Sequence, residues 1–331
     1  MRRGGATLRW GAGLVAGLVA VALAAPLLAP YDPAEQLDPP AALYRPPGTV
    51  LAAVHLADGG WQLADRVERI PEGLRLERLE RIKEIPASQV LNLTADGVAD
   101  RRVFLLGSDK FGRDLLSRLL YGARISLAVG VLSVVISLTL GVAVGSLAAL
   151  GGRLVDSALM RGVDALLSFP VLFLLITLSA LLEPGTAAVI GILGGLSWTG
   201  MSRLARAEIL GLRHREFVLA ARAAGQHAVS ILWRHLLPNA FTPVLIQTVL
   251  LIGNLILVES SLSFLGLGIQ PPTPSWGNMI SEGRESLVNA WWIATFPGAA
   301  IALTVIAFNL LGDGLRDALD PRSPGATLPP L

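Results

Sequence analysis

Cysteine is absent from the 331-residue chain, and lysine nearly so, since 25 of its 27 basic residues are arginine. The first absence excludes disulfides, thiolate metal sites, iron–sulfur clusters and cysteine nucleophiles. The second bears on nucleotides. Only Lys83 and Lys110 are present, neither follows a glycine, and so no GxxxxGK[ST] phosphate loop exists. His55, His214, His227 and His235 show no HExxH spacing, and no GxSxG elbow accompanies the polar residues around Ser108 and Asp109. No catalytic residue, metal site or cofactor is therefore predicted. A net charge of +2 also falls short of the concentrated basic footprint of a nucleic-acid binder.

Charge of either sign is scarce: 16% of residues, against about a quarter in an ordinary soluble domain. The scarcity is localised. Six stretches lack charge and histidine altogether, 10–31, 125–152, 165–182, 184–202, 236–258 and 286–312, each 18 to 28 residues long. About 20 apolar residues in a helix cross a bilayer, so six transmembrane helices are predicted. A seventh uncharged stretch, 260–281, carries Gly266, Gly268, Pro271, Pro272 and Pro274, and reads as a loop. The first window, behind Arg2, Arg3 and Arg9, imitates a secretory signal, but its length favours a retained anchor.

Arginines in short loops set the orientation. With the N-terminus in the cytoplasm, Arg153, Arg161, Arg316, Arg322 and the 203–235 segment, with six arginines against two glutamates, all fall inside. Both termini are then cytoplasmic. The segment 32–124 has 13 bases and 14 acids and is too long for the rule to count. It reads as a small extracytoplasmic α/β insert, a solvated cap or a docking surface. Residues 49–56 and 61–70 flank Asp58-Gly59-Gly60, a hairpin signal. Leu76, Leu79, Ile82 and Ile85 recur every three residues among charges and predict a short amphipathic helix.

The stretch EFVLAARAAGQHAVSILWRHLLPN, 216–239, lies between the fourth and fifth windows. Phe217, Ala220, Ala221 and Ala224 fall at i, i+3, i+4 and i+7, one apolar face of a short helix. Gly225 stands where that helix can stop, because glycine accepts the left-handed conformation of a C-terminal cap. A second helix, 230–237, is predicted to end at Pro238. The product is a helical elbow, suited either to a protein pocket or to an anionic lipid surface. Glu259, at the end of an uncharged window, is a candidate for lining a pathway or gate, or for a structural hydrogen bond. Gly141 and Gly145, spaced as GxxxG, predict close helix packing.

The elbow resembles the coupling loop, the EAA motif, of binding-protein-dependent ABC importer permeases: Ala220, Ala221, Gly225, Leu237 and Pro238 match, whereas Leu219 stands in place of the motif's glutamate. LGSDKFGRDLLSRLLYGARISL at 106–127, SSLSFLGLGIQPPTPSWGNMI at 260–280 and FPGAAIALTVIAFNLLGDGLRDALDPR at 296–322 resemble the dipeptide and oligopeptide permeases of the second-subunit type. The resemblance implies an all-α membrane protein of the type I ABC importer permease fold, in a bacterial inner membrane. Its segments would be an anchoring arm at 1–31, an insert and lead-in helix at 32–122, a transmembrane domain at 123–313 with its coupling loop at 203–239, and a cytoplasmic tail at 314–331. It implies a homologous permease, two separate ABC ATPase subunits and an extracytoplasmic solute-binding protein as partners, with peptides as cargo. ATPase coupling would fall to Glu216, Phe217, Ala220, Ala221, Arg222, Gly225, Leu237 and Pro238. The rival reading is a secondary transporter driven by an ion gradient through Glu259.

Overall fold

The computed structural model describes residues 3–79, 81–91 and 100–319. In chain order the helices are α1 (Arg3–Leu23), α2 (Ala25–Leu28), α3 (Pro39–Ala42), α4 (Leu115–Leu150), α5 (Gly152–Ser168), α6 (Val171–Leu181), α7 (Thr186–Leu212), α8 (Glu216–Ala223), α9 (Ala228–Ile231), α10 (Leu237–Phe264), α11 (Trp276–Gly283) and α12 (Trp292–Leu319). Six strands lie between α3 and α4: β1 (Thr49–His55), β2 (Trp61–Ala64), β3 (Arg66–Ile70), β4 (Gly73–Arg78), β5 (Arg81–Pro86) and β6 (Asp100–Phe104). The chain divides into two compact units.

Of the described residues, the first unit draws on 3–20, Ile125–Ile269 and 301–319. Its core is aliphatic: Val129 of α4, Leu175 of α6, Val189, Ile192 and Leu193 of α7, and Leu262 of α10 pack with Ile269. Helices α4 and α7 approach closely because glycine removes the side chain at their contact. A Cβ at Gly145 would lie 2.6 Å from the Ser202 carbonyl oxygen, and one at Gly141 would lie 2.6 Å from the Met201 Cβ.

Four helices are long and apolar enough to cross a membrane, among the described residues, or five if the pair α5 and α6, bent by 84°, forms one broken span. The window 184–202 lies on α7, whose C-terminal half brings Arg203, Arg206 and Glu208 into the helix. The uncharged stretch 260–281 is only partly a loop. Helix α10 continues to Phe264 and α11 begins at Trp276, which confines the loop to 265–275.

The second unit draws on Val21–Arg124 and Gln270–Ala300. Two three-stranded antiparallel sheets, ordered β2-β1-β6 and β3-β4-β5, form its insert. The hairpin at Asp58-Gly59-Gly60 is present: Gly59 takes a φ of +84°, and Leu56 donates its N–H to the Gly60 carbonyl at 2.8 Å. The short helix expected across Leu76, Leu79, Ile82 and Ile85 is not. Those residues lie on β4, its turn and β5, where Leu74, Leu76 and Ile85 point into one small core and Arg75 faces Glu84 across the strands. The cross-strand partners overrule the helical spacing. The insert is thus β-rich, and among its described residues helix is limited to the single turn α3 and a 3₁₀ turn at Ala87–Gln89. Residues 92–99 and the tail beyond Leu319, with Arg322, lie outside the described residues.

Candidate functional site

The elbow is built by two helix ends and a wide turn. Helix α7 closes at Arg213, and Arg215, in an extended conformation, accepts the N–H groups of Val218 and Leu219 at 3.0 and 3.1 Å to start α8. Glu216 in the first turn and Arg222 in the last turn each complement the helix dipole. At the far end Gly225 has a φ of +77°. Its N–H bonds the Arg222 carbonyl at 2.9 Å, and Gln226 N–H bonds the Ala221 carbonyl at 3.1 Å. This is a Schellman closure, which satisfies two terminal carbonyls by left-handed backbone at glycine.

The face predicted for α8 is split. Val218 and Ala221 are buried against Ala149, Ile209, Ile231, Leu236 and Ala240, and so anchor the helix. Phe217, Ala220 and Ala224 are exposed on another side, with Phe217 40% accessible. A buried valine, flanked by positions three residues apart, fixes which stripe turns inward. Ala221 therefore serves packing, and the outward stripe Phe217-Ala220-Ala224 is left open. Leu219, where the motif's glutamate would stand, is exposed as well.

Beyond Gly225 the chain turns through α9 into α10 without stopping at Pro238. Residues Leu232–Leu236 form a π turn, in which Leu237 N–H reaches back five residues to the Leu232 carbonyl. Pro238 sits in the first turn of α10 and is exposed, while Leu237 packs beside the buried cluster. The expected helix end at Pro238 is thus a helix start: the widened turn accommodates a residue that cannot donate and whose ring crowds the preceding turn. Two residues not singled out from sequence join the arms. His235 Nε2 lies 3.2 Å from Gln226 Oε1, and its ring is 6.5 Å from that of Phe217. Their separations of 9 and 18 in sequence carried no helical signal.

Glu259 lies elsewhere, fully buried on α10, where Ser263 Oγ donates to its Oε1 at 2.7 Å and Ser260 Oγ lies 3.4 Å from its Oε2. The structure does not bring it together with the elbow residues. No group of three or more histidine or acidic side chains suited to a metal occurs among the described residues.

Apolar helices long enough to span a bilayer, packed closely through glycine and joined by a helical elbow, define a multi-pass membrane protein. A family model described as the binding-protein-dependent transport system inner membrane component matches residues 141–323, and the chain belongs to that family. It is 46% identical, over 218 residues, to a putative peptide transport system permease protein of Brucella suis, covering 66% of this chain and 73% of that protein. It is 43% identical over 219 residues to the di/tripeptide transport system permease protein DppC of Pseudomonas aeruginosa, covering 66% and 72%. Among solved structures it resembles an inward-facing form of the MetNI methionine ABC transporter, with a TM-score of 0.52 and 18% identity, over 60% of this chain and 94% of that one. The fold is that of a type I ABC importer permease.

Proposed function

We propose that this permease carries peptides, delivered by a solute-binding protein, through a complex that holds a homologous permease and two ATPase subunits. The observation that carries the cargo reading is the identity above 40% to two proteins named as peptide and di/tripeptide permeases. The chain would cross a bacterial inner membrane six times, by α1, α4, the bent α5–α6 pair, α7, α10 and α12, with both termini cytoplasmic. The arginine-rich 203–235 segment supports that orientation.

The elbow would be the contact with the ATPases. Phe217 offers an aromatic anchor, Ala220 and Ala224 permit close approach, and Glu216 and Arg222 provide charged flanks. Gly225, Leu237 and Pro238 would hold its angle, while Ala221 would fix α8 to the rest of the chain. Nucleotide-driven movement of the ATPases would then shift α7 and α10, on which the elbow is mounted. Glu259 would line the path or a gate.

The test is reconstitution of the complex, recovered by mild-detergent pull-down, into liposomes with its binding protein. ATP-dependent uptake of labelled di- and tripeptides is expected, lost with Gly225→Val. Uptake by this chain alone, abolished in Glu259→Gln, would overturn the reading in favour of a gradient-driven transporter.

A further inference from the structure

Within the second unit four ionisable side chains, all nearly inaccessible, meet at one point. Asp109 Oδ1 accepts the backbone N–H groups of Phe111 and Arg113 at 2.8 and 3.0 Å, and its Oδ2 accepts Arg113 Nε at 2.6 Å and Arg118 Nη1. Glu282 comes from α11, 164 residues beyond Arg118. Its Oε2 accepts Arg113 Nη2 at 2.8 Å and Arg118 Nη1 at 2.5 Å, and its Oε1 accepts Arg118 Nη2 at 3.1 Å. Asp109 thus neutralises one guanidinium from within its own segment, and the other is neutralised by a carboxylate brought from elsewhere in the chain.

Two further charges adjoin the cluster. Asp114 is engaged as the cap of α4, accepting Ser117 N–H at 2.7 Å, and Lys110 lies over the Phe111 ring. Arg118 still keeps a surplus donor, since its buried Nε has no hydrogen-bond partner among the described residues. Two guanidinium groups presenting three N–H donors to one carboxylate form a fork with the geometry of a carboxylate receptor. Packing alone does not call for it, because buried ion pairs are often no more stabilising than apolar side chains of the same volume.

We propose that Arg113 and Arg118 form a carboxylate-binding site, that Glu282 is its resident occupant and latch, and that the C-terminal carboxylate of a peptide competes for it. Glu282, at 9% exposure, is buried but is the most accessible of the four residues. It also stands at the end of an eight-residue helix, ahead of the exposed Leu287 and Val288. The peptide half of this proposal rests on the cargo reading above; the fork itself does not.

The experiment uses the assembled complex in lipid nanodiscs, with Glu282→Ala in this chain, and sodium acetate as the probe against sodium chloride at matched ionic strength. In chloride the variant is expected to lose several degrees of unfolding midpoint. Acetate should restore most of that loss saturably, and the parent complex should show no such response. A variant that responds to acetate no more than to chloride would overturn the site. If the variant is recovered only when prepared in acetate, that dependence is the same support; failure in both salts overturns it. A second arm compares a tripeptide with its C-terminal amide. Stronger stabilisation of Glu282→Ala by the free acid, abolished by adding Arg113→Met, assigns the occupant to peptide, whereas equal effects reduce Glu282 to an internal latch and overturn the ligand half. Loss of the acetate response with intact peptide uptake would remove the fork alone. An intact response without peptide uptake would remove the cargo reading alone.

Discussion

Arg206 of α7 holds Asp156 of α5 in a two-pronged grip, with Nε donating to Oδ1 at 2.5 Å and Nη2 to Oδ2 at 2.6 Å. Both side chains are about a third or less exposed, which shields the pair in part from water and salt. Arg206→Lys keeps the charge and loses the fork. We expect a coupling energy of about 1 kcal/mol between Arg206→Ala and Asp156→Ala in a double-mutant cycle on thermal unfolding. A coupling near zero would show that the pair does not tie α5 to α7.

Gly225 carries backbone conformation and nothing else, because an added Cβ there meets no atom within 4 Å. Gly225→Ala should therefore cost about 1 kcal/mol through the left-handed conformation, and Gly225→Asn less. Gly225→Val adds a β-branch and should lower uptake with little loss of inserted protein. Unchanged uptake and unchanged ATPase recovery in the valine variant would separate the elbow's angle from coupling.

Phe217 and Val218 are neighbours with opposite duties. Phe217→Ala removes a half-exposed ring and should lower the unfolding midpoint of the isolated chain by less than Val218→Ala does, while weakening association with the ATPases by about 2 kcal/mol. Val218→Ala should do the reverse, lowering the midpoint through a buried cavity that costs roughly 1 to 2 kcal/mol. Binding measured against purified ATPase subunits, beside thermal unfolding, distinguishes the two. Equal effects of both changes on both readouts would refute the split face.

Gly145→Ala is expected to overpack the contact between α4 and α7 and to destabilise by about 1 to 3 kcal/mol. Gly195→Ala, on α7 but with open space around its added methyl, should be neutral or stabilising by up to about 1 kcal/mol. Detergent-resistance assays on the two variants check the pair, and a stable Gly145→Ala protein would argue that the helices separate easily there.

Asp65 gives the insert an acid limit. Burial alone would raise its carboxyl pKa, but the hydrogen bond from Arg45, the Leu79 N–H and the Arg45 charge together hold it below the ordinary carboxylate value. The unfolded state then binds the proton first as pH falls. This contribution to stability is fully present above the ordinary aspartate range near 3.8 and is lost as pH drops through the lowered folded value. Limited proteolysis of the insert across that range should show a steeper acid response in the parent than in Asp65→Asn. Parallel responses would mean that Asp65 is not the group concerned.

The long uncharged windows and the hairpin glycines were readable because each answers to a local rule: a span needs length without charge, and a tight turn needs positive φ. The elbow's stop at Gly225 was readable for the same reason. What local spacing missed depended on partners distant in sequence. Leu76 and Ile82 keep a period of three that fits a helix, yet Glu77 pairs with Ile82 across β4 and β5. Pro238 read as a terminator because the π turn ahead of it leaves no composition signal. Ala221 looked equivalent to Ala220 until the cluster around Ile209 and Leu236 claimed it. The meeting of Arg118 with Glu282 lay beyond reach, although charges at 109, 113 and 118 beside an apolar run were a hint that something must neutralise them.

The π turn at Leu232–Leu236 sets the phase of everything that follows it. A turn that holds one extra residue rotates the continuing helix by about 100° relative to a regular register. Val244, Ile256 and Glu259 face the interior of their unit in the phase that this turn creates. Wound as a regular α-helix through 232–236, the same sequence would turn Glu259 and Ser263 together, keeping their hydrogen bond while carrying both away from the interior. The elbow and the buried acid, some 20 residues apart, are thus linked by angle rather than by contact.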